Sequence, residues 1–399
     1  MSAVDALARL TSWQPSTAQT LLLQACLSPE PLAAAALARW RTLDPALRAD
    51  GASQRLLPLL YGRWGQEGAG AHRRSWAHHK LLQACSYDLF ASLSQAAVPL
   101  LVIKGFPLAH TVYPEPAQRP LADIDFVVPW SRSDEAVSHL RRHGWEPLPT
   151  PLKGDSGDSA PAWQRQPRSS LDAAYRRVRH SHGFRHPRHG LSLDLHWAVF
   201  QGHCEPGRDD ALWQRSRPLP QASHRSMLQL PSGLRVLDPA DHLLLVLAHG
   251  ARWQGPAPIR WVADAVNLIR GEPAVDWDRF FAVACSRELS LVAARLLAWL
   301  QASQLLELPA QVLAKLEAQP IAWRERLLYA IETEPPGWRS GFSELLYIGG
   351  CRRALKRENP ACEAPASYSA FLCHVLGAPS QRALAAHLGR ELWRRRRST

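Results

Sequence analysis

The feature that most constrains this chain is a pair of short apolar segments, residues 99–103 and 122–128, with Gly105 shortly after the first. Each segment is too short for a helix and rich in Val, Ile, Leu and Phe, which predicts two buried strands joined by a glycine-initiated helix and a loop. The second segment carries Asp123 and Asp125. Side chains two residues apart on a strand share a face and lie roughly 7 Å apart along the backbone. Two carboxylates held in this way favour a hard divalent cation.

A third strand is predicted at residues 191–197, where apolar and polar side chains alternate. Leu191, Leu193, Leu195 and Trp197 would line one face of this strand. The opposite face would then carry Ser192, Asp194 and His196. A third carboxylate, Asp194, is therefore placed on a polar strand face, where it can complete a metal site with the first two.

Helical spacing of apolar residues surrounds these strands and predicts an α+β protein with helical N-terminal and C-terminal regions. We divide the chain into a helical N-terminal region (1–95), a core (96–235) and a helical C-terminal domain (236–399). Within the core, residues 150–190 are predicted to form a loop or insertion, with a strand favoured at 175–184. The main predicted helices span residues 18–27, 31–43, 76–93, 133–143, 238–249, 259–270, 277–300 and 324–332.

The net charge of +12 is weak evidence for a nucleic-acid partner. The basic residues are five lysines against 42 arginines, a bias typical of GC-rich coding, and this scarcity makes Lys104 notable. Seven widely spaced cysteines without a Cys-x-x-Cys pair argue against a disulfide framework or a zinc site. We find no apolar run long enough for a transmembrane segment and no signal-peptide pattern, and we expect a cytoplasmic protein.

The turn after the first strand, Lys104-Gly105, combines a cation with the backbone N–H groups of a helix start, which suits a triphosphate. Arg119, in the loop before the acidic strand, is predicted to clamp a phosphate oxygen in a bidentate manner. Such a site needs bound phosphates and cations that neutralise charge while oxygens exchange at phosphorus. The residues therefore predict metal-dependent transfer of a nucleotidyl group, with Mg²⁺ or Mn²⁺ as the cofactor.

Two histidine features are less specific. His196 shares the polar face of its strand with Asp194, and it either orients that carboxylate, contacts substrate or makes a structural hydrogen bond. Four histidines are clustered with arginines interleaved between them, and because nearby cations oppose metal binding we do not assign zinc there. That segment is interpreted as a basic rim or a solvated connection; its histidines are His180, His182, His186 and His189.

These motifs together resemble the uncharacterised nucleotidyltransferase family of the DNA polymerase beta-like superfamily. The resemblance rests on the Leu-Val-Ile-Lys-Gly run ending at Gly105, on Tyr113-Pro, on the run from Arg119 to Val128, and on Leu-Asp-Leu-His-Trp ending at Trp197. It implies a small mixed sheet flanked by helices, an Asp-x-Asp metal site, a third Asp on a later strand and a nucleoside triphosphate donor. The residues matched to catalytic roles are Asp123, Asp125 and Asp194, and those matched to the donor-phosphate turn are Lys104 and Gly105.

We therefore predict an enzyme that moves an NMP group, with AMP favoured, from an NTP to a hydroxyl on a small molecule, a protein or an RNA. One alternative is a catalytically inactive nucleotide-binding or scaffold protein with the same fold. Another is an RNA-binding or RNA-tailing protein, a reading that draws on the positive charge.

Overall fold

The computed structural model describes residues 13–149, 165–168, 171–220, 231–252, 259–333, 338–358, 365 and 367–397. Within this part of the chain the strands form one seven-stranded mixed sheet with the order β3-β4-β5-β2-β1-β7-β6. The α+β class predicted from the sequence is confirmed. The strands are β1 (Leu100–Ile103), β2 (Asp123–Val127), β3 (Glu146–Pro147), β4 (Ser181–His186), β5 (Leu191–His196), β6 (Arg217–Pro218) and β7 (Leu234–Val236).

The centre of the sheet combines both strand orientations. β1 pairs antiparallel with β2 and parallel with β7, and β2 pairs parallel with β5. The outer pairs β3–β4, β4–β5 and β6–β7 are antiparallel. The parallel pair β2–β5 requires a long connection between its two strands, because parallel neighbours cannot be joined by a tight turn.

Helices precede, interrupt and follow the strands. Before β1 lie α1 (Thr17–Leu27), α2 (Leu32–Arg41), α3 (Pro45–Arg48), α4 (Gly51–Gln54), α5 (Leu57–Trp64) and α6 (Ala69–Gln95). Among the strands lie α7 (Gly105–Thr111), α8 (Ser133–Arg142), α9 (Ala173–Val178) and α10 (Asp210–Arg215). After β7 follow α11 (Pro239–Gly250), α12 (Arg260–Arg270), α13 (Trp277–Ser286), α14 (Ser290–Ala302), α15 (Ala310–Glu317), α16 (Trp323–Thr333), α17 (Trp338–Glu358), α18 (Tyr368–Leu376) and α19 (Gln381–Arg397).

Both faces of the sheet are covered by helices. On one face, Val102, Ile124 and Phe126 pack in a cluster that includes side chains of α6 and α8. On the other, Ile103 and Val127 belong to a larger cluster with side chains of α1, α2 and α11 to α15. Asp125 pairs with Ile103 across β1 and β2, so its carboxylate lies on this second face. The acids are thereby directed towards the C-terminal helices.

Three of the predicted elements differ from the structure. The predicted strand at 175–184 begins as helix α9, capped by the Asp172 side chain on the Tyr175 N–H, and only its second half forms β4. Much of the predicted 150–190 loop lies outside the described residues, and its later part is this helix and strand. The predicted helix at 277–300 is two helices, since Glu288 adopts a positive φ of 52° that breaks the run.

The remaining helix predictions agree with the structure to within about two residues at each end, except that the helix predicted at 76–93 begins earlier, in α6 (Ala69–Gln95). The predicted Asp238 cap of α11 is confirmed, since its side chain accepts a hydrogen bond from the Ala240 N–H at 3.1 Å. The six cysteines in the described part of the chain are free thiols. Among the helices of the described residues, none has the length and apolar character needed to cross a membrane.

Candidate active site

The pairing of β2 with β5 brings two of the predicted acids side by side. Asp125 and Asp194 are register partners in this parallel ladder, and Asp123 pairs with Ser192 at its start. Because register partners place their side chains on the same face, Asp125 and Asp194 project together. The alternation that predicted the polar face of β5 therefore translates directly into the geometry of the site.

His196 completes a compact cluster with these two acids. Its Nε2 lies 3.2 Å from Asp125 Oδ1 and 3.1 Å from Asp194 Oδ2, and its side chain is fully buried. One ligand atom from each of the three residues lies within 4.8 Å of the others. Ser181 Oγ donates to Asp194 Oδ2 at 3.1 Å and fixes that carboxylate from β4.

Lys104 joins the cluster from the end of β1. Its Nζ lies 2.5 Å from Asp125 Oδ1 and 3.4 Å from His196 Nε2. The backbone of Lys104 has φ 56° and ψ −129°, a conformation that side-chain-bearing residues rarely adopt. This strained backbone conformation occurs at the residue whose ammonium group contacts the acids.

The charges within the cluster partly offset one another. Burial opposes ionisation of Asp125, but the Lys104 ammonium and His196 hold the pKa of Asp125 below its usual range. Burial likewise opposes the ionisation of Asp194, and the charge of His196 lowers its pKa. For His196, burial and Lys104 disfavour the protonated ring, yet Asp194 and Asp125 together raise its pKa. Two carboxylates thus face one ammonium and one imidazole.

Asp123 lies on the same face of β2 but outside this cluster of ligand atoms. It lines the neighbouring cleft, and burial, followed by the charge of Asp125, raises its pKa to about 6. The structure therefore brings Asp125, Asp194 and His196 together and leaves Asp123 beside them. The roles predicted for all four side chains stay predictions.

A cleft opens between this face of the sheet and helices α11 and α12, with about 620 Å³ of empty space when the open solvent at its mouth is included. One side carries acids of β2 and the turn after β1, and the other carries residues of the two helices. The lining consists of Lys104, Gly105, Arg119, Leu121, Ala122, Asp123, Asp125, Val246, His249, Gly250, Arg260, Trp261 and Asp264.

Arg119 lines the cleft, but its guanidinium forms an ion pair with Asp264, a contact that we did not predict from the sequence. Its Nη2 lies 2.7 Å from Asp264 Oδ2 and its Nε 3.0 Å from Asp264 Oδ1, and both side chains are buried. Tyr113 donates its hydroxyl to the same carboxylate at 2.7 Å. The predicted contact of Arg119 with a phosphate stays a prediction. The contact that the structure shows is a buried ion pair between Arg119 and Asp264 of α12.

Close packing around residue 105 explains why this residue is glycine. A Cβ at this position would lie 2.6 Å from Arg119 Nη1 and 2.9 Å from a methyl carbon of Leu121. The close approach of the guanidinium therefore excludes a side chain here, whatever the turn also binds. Gly250 is comparable, since a Cβ there would lie 2.3 Å from Trp261 Cγ.

Arg260 and His249 are cleft residues that we did not select from the sequence. Both lie on helices remote in sequence from the acidic strand, and neither belongs to a local motif. The helical pattern alone places His249 in the last turn of α11 and Arg260 at the start of α12. Their convergence on the cleft follows only from the packing of those helices against the sheet.

The four histidines at 180–189 do not gather around a common point. His180 is buried beside His196 with ring centroids 5.0 Å apart, and His182 bonds the Tyr175 hydroxyl at 2.9 Å. His186 and His189 contact each other, with ring centroids 4.5 Å apart. Within the described residues these four histidines form no group of three metal-ligand atoms.

The donor set of the cluster fits a divalent cation. Carboxylate oxygens suit Mg²⁺ and Mn²⁺, and an imidazole beside them serves either as a ligand or as the hydrogen-bonding partner that orients the carboxylates. Asp125 and Asp194 would provide the oxygens. The buried Nδ1 of His196 has no hydrogen-bond partner among the described residues, so the ring is oriented through Nε2.

Two carboxylates and an imidazole beside a cleft on a mixed sheet form a possible metal site, a feature that metal-assisted transferases share. The comparison with protein families is consistent with this class: residues 30–324 match the model of a family described as "Uncharacterised nucleotidyltransferase". The match covers most of the chain, and the protein belongs to this family, as the sequence motifs predicted. No curated protein matches the chain.

Proposed function

We propose that the protein is a Mg²⁺- or Mn²⁺-dependent nucleotidyltransferase that moves an NMP group, with AMP as the first candidate, from an NTP to a hydroxyl acceptor. The observation that carries the proposal is the convergence of Asp125, Asp194 and His196 within 4.8 Å, in a chain of a nucleotidyltransferase family. Asp123 adds a third carboxylate on the same strand face.

In the proposed reaction the acceptor hydroxyl oxygen forms a bond to the α-phosphorus, and the bond from that phosphorus to the β-bridging oxygen breaks. The bonding electron pair leaves on pyrophosphate, and the hydroxyl proton passes to a carboxylate of the cluster or to water. Divalent cations, when bound, neutralise charge at the reacting phosphate. Asp194, held by Ser181 and His196, is the carboxylate we assign to the acceptor side.

The donor triphosphate is proposed to lie in the cleft beside the turn at Lys104 and Gly105. Both residues line the cleft, together with Asp123 and Asp125. Lys104 would exchange its contact with Asp125 for a phosphate oxygen once cations neutralise the acids. Arg119 is proposed to hold the cleft wall through Asp264.

The test is transfer of label from α-labelled NTPs, with Mg²⁺ or Mn²⁺ and a lysate fraction as the source of acceptor, together with pyrophosphate release. We expect Asp125→Asn and Asp194→Asn each to reduce transfer by about 10²-fold or more, because each removes a carboxylate that would hold the cations needed at the reacting phosphates. The matched control is Asp88→Asn, on the exposed side of α6. Full activity in both cluster variants would exclude these roles.

A nucleotide-binding protein without turnover is the second candidate. It is favoured by the contacts of Lys104 and His196 with Asp125, which offset part of the negative charge that a metal ion would otherwise neutralise. In that case NTP binding would raise the melting temperature by linkage while no pyrophosphate appears with any acceptor fraction. Pyrophosphate release above the Asp125→Asn background would reject this candidate.

A further inference from the structure

We infer that Arg260 binds the terminal phosphates of the nucleoside triphosphate, an inference that rests on the proposed function. Three cationic side chains line the cleft: Lys104, Arg119 and Arg260. They differ in whether a carboxylate in direct contact already neutralises their positive charge. Among the described residues that line the cleft, that difference marks Arg260 as the cation without a carboxylate in direct contact.

Lys104 and Arg119 each have a carboxylate partner. The Lys104 ammonium lies 2.5 Å from Asp125, and the Arg119 guanidinium makes two contacts with Asp264, at 2.7 and 3.0 Å. A phosphate that approached Arg119 would have to displace a buried, bidentate carboxylate, which is costly. Arg119 is therefore a poor candidate for the polyphosphate.

Arg260 has a different environment. Its Nη1 donates to the Pro120 carbonyl at 2.7 Å, and no carboxylate in the described part of the chain lies within 4.0 Å of its guanidinium. Burial, and then the neighbouring Arg119, lower the pKa of Arg260 to about 9. A half-buried guanidinium next to a second one is an unfavourable arrangement that an anion would relieve.

His249, Leu121 and Val246 also line the cleft but carry no positive charge that could bind the terminal phosphates. His249 lines the same cleft, but burial, followed by the charge of Lys104, lowers its pKa well below the usual range, so its ring is neutral. Leu121 and Val246 add apolar surface. In such surroundings a charge-assisted contact is stronger than in water, and the carbonyl of Pro120 fixes the orientation of the guanidinium.

The inferred contact has a consequence for the transfer step. As the bond between the α-phosphorus and the β-bridging oxygen breaks, negative charge increases on the departing pyrophosphate. A guanidinium on the terminal phosphates stabilises this charge, so Arg260 would affect the rate of transfer as well as the binding of the donor.

Inorganic tripolyphosphate with Mg²⁺ is the probe, and its binding to the whole 399-residue chain is measured by isothermal titration calorimetry. We expect Arg260→Gln to weaken tripolyphosphate binding by on the order of tenfold to a hundredfold, because a charge-assisted contact is lost. Arg260→Lys should recover part of the affinity. Arg39→Gln, an exposed site on α2 outside the cleft lining, is the matched control and should bind like the wild type. The melting temperature of each variant shows whether it is folded.

The outcomes separate this inference from the proposed function. If Arg260→Gln is folded and binds tripolyphosphate as tightly as the wild type, the inference is wrong, even if the enzyme transfers nucleotides. If the wild type binds no tripolyphosphate with Mg²⁺, the inference is also wrong. If the wild type binds it through Arg260 but releases no pyrophosphate from any NTP, the inference holds and the proposed transferase activity fails.

Discussion

Lys104 compensates the charge of the cluster at the expense of an uncommon backbone conformation. Its φ of 56° directs the side chain so that the ammonium reaches Asp125 Oδ1. The same oxygen would serve a divalent cation, so Lys104 and the cation compete for Asp125. This competition can be measured as the metal affinity of the nucleotide-free protein, without any transfer reaction.

We expect Lys104→Met to raise the affinity of the nucleotide-free protein for Mn²⁺ several-fold, because the competing ammonium is removed while both carboxylates remain. Electron paramagnetic resonance of free Mn²⁺ measures this. Lys315→Met, at an exposed ion pair with Asp278, is the control and should leave the affinity unchanged. Equal or weaker Mn²⁺ binding by the Lys104 variant would contradict competition at Asp125.

The acids of the site could be predicted because their pattern is local. A period of two on β2 and β5 fixes the face of Asp125, Asp194 and His196 from the sequence alone. The contact between Arg119 and Asp264 spans 145 positions and could not be predicted in this way. Arg260 was missed for the same reason, since only the packing of α12 against the sheet brings it to the cleft.

One buried carboxylate on α12, Asp264, binds two residues that precede β2. Asp264 accepts hydrogen bonds from Arg119 and Tyr113, both of which precede β2. Because removing one member of a buried pair leaves the other charge uncompensated, such pairs are far more sensitive to single substitutions than to double ones.

We expect Asp264→Leu to lower the free energy of unfolding by about 3–5 kcal/mol, since it leaves the Arg119 guanidinium buried without its counter-charge. The double variant Arg119→Met with Asp264→Leu should be destabilised by clearly less than the sum of the two single variants. Urea unfolding monitored by circular dichroism measures the cycle. Additive losses would show that the two residues stabilise the fold independently.

Element prediction succeeded where a single pattern persists and failed where it changes within a few residues. The buried runs of β1 and β2 and the alternation of β5 have a uniform period, and these strands are confirmed. Between residues 173 and 186 the chain passes from helix to strand within two residues, so one period could not describe it. At Glu288 a non-glycine residue takes a left-handed conformation, which gives no compositional signal for a helix end.

The first N-terminal helices and helices α11 to α15 share one hydrophobic core. Trp13 packs edge-on against Trp261 at 6.1 Å and against Trp299 at 6.4 Å, measured between ring centroids. Side chains of α1 and α2 belong to the same cluster as those of α11 to α15. The predicted regions 1–95 and 236–399 therefore contribute to a common core, and their division into separate domains stays a prediction.

This shared core predicts that a substitution at the start of the chain destabilises the whole. Trp13→Ala should reduce the free energy of unfolding by about 3–5 kcal/mol, because it opens a cavity against two indole rings of the C-terminal half. Thermal unfolding measures the loss. Trp76→Ala, with a side chain 55% exposed on α6, should change stability little. An unchanged melting temperature for Trp13→Ala would argue that the two regions fold independently.

The parallel ladder between β2 and β5 fixes Asp125 opposite Asp194, whatever the length of the chain that joins the two strands. That joining segment carries α8, β3, α9 and β4. Insertions or deletions within it can accumulate over evolution without shifting the two acids against each other, since hydrogen bonds of the ladder, and not the segment, hold their spacing. Diversification among relatives can thus proceed in this segment while the chemistry at the acids is retained.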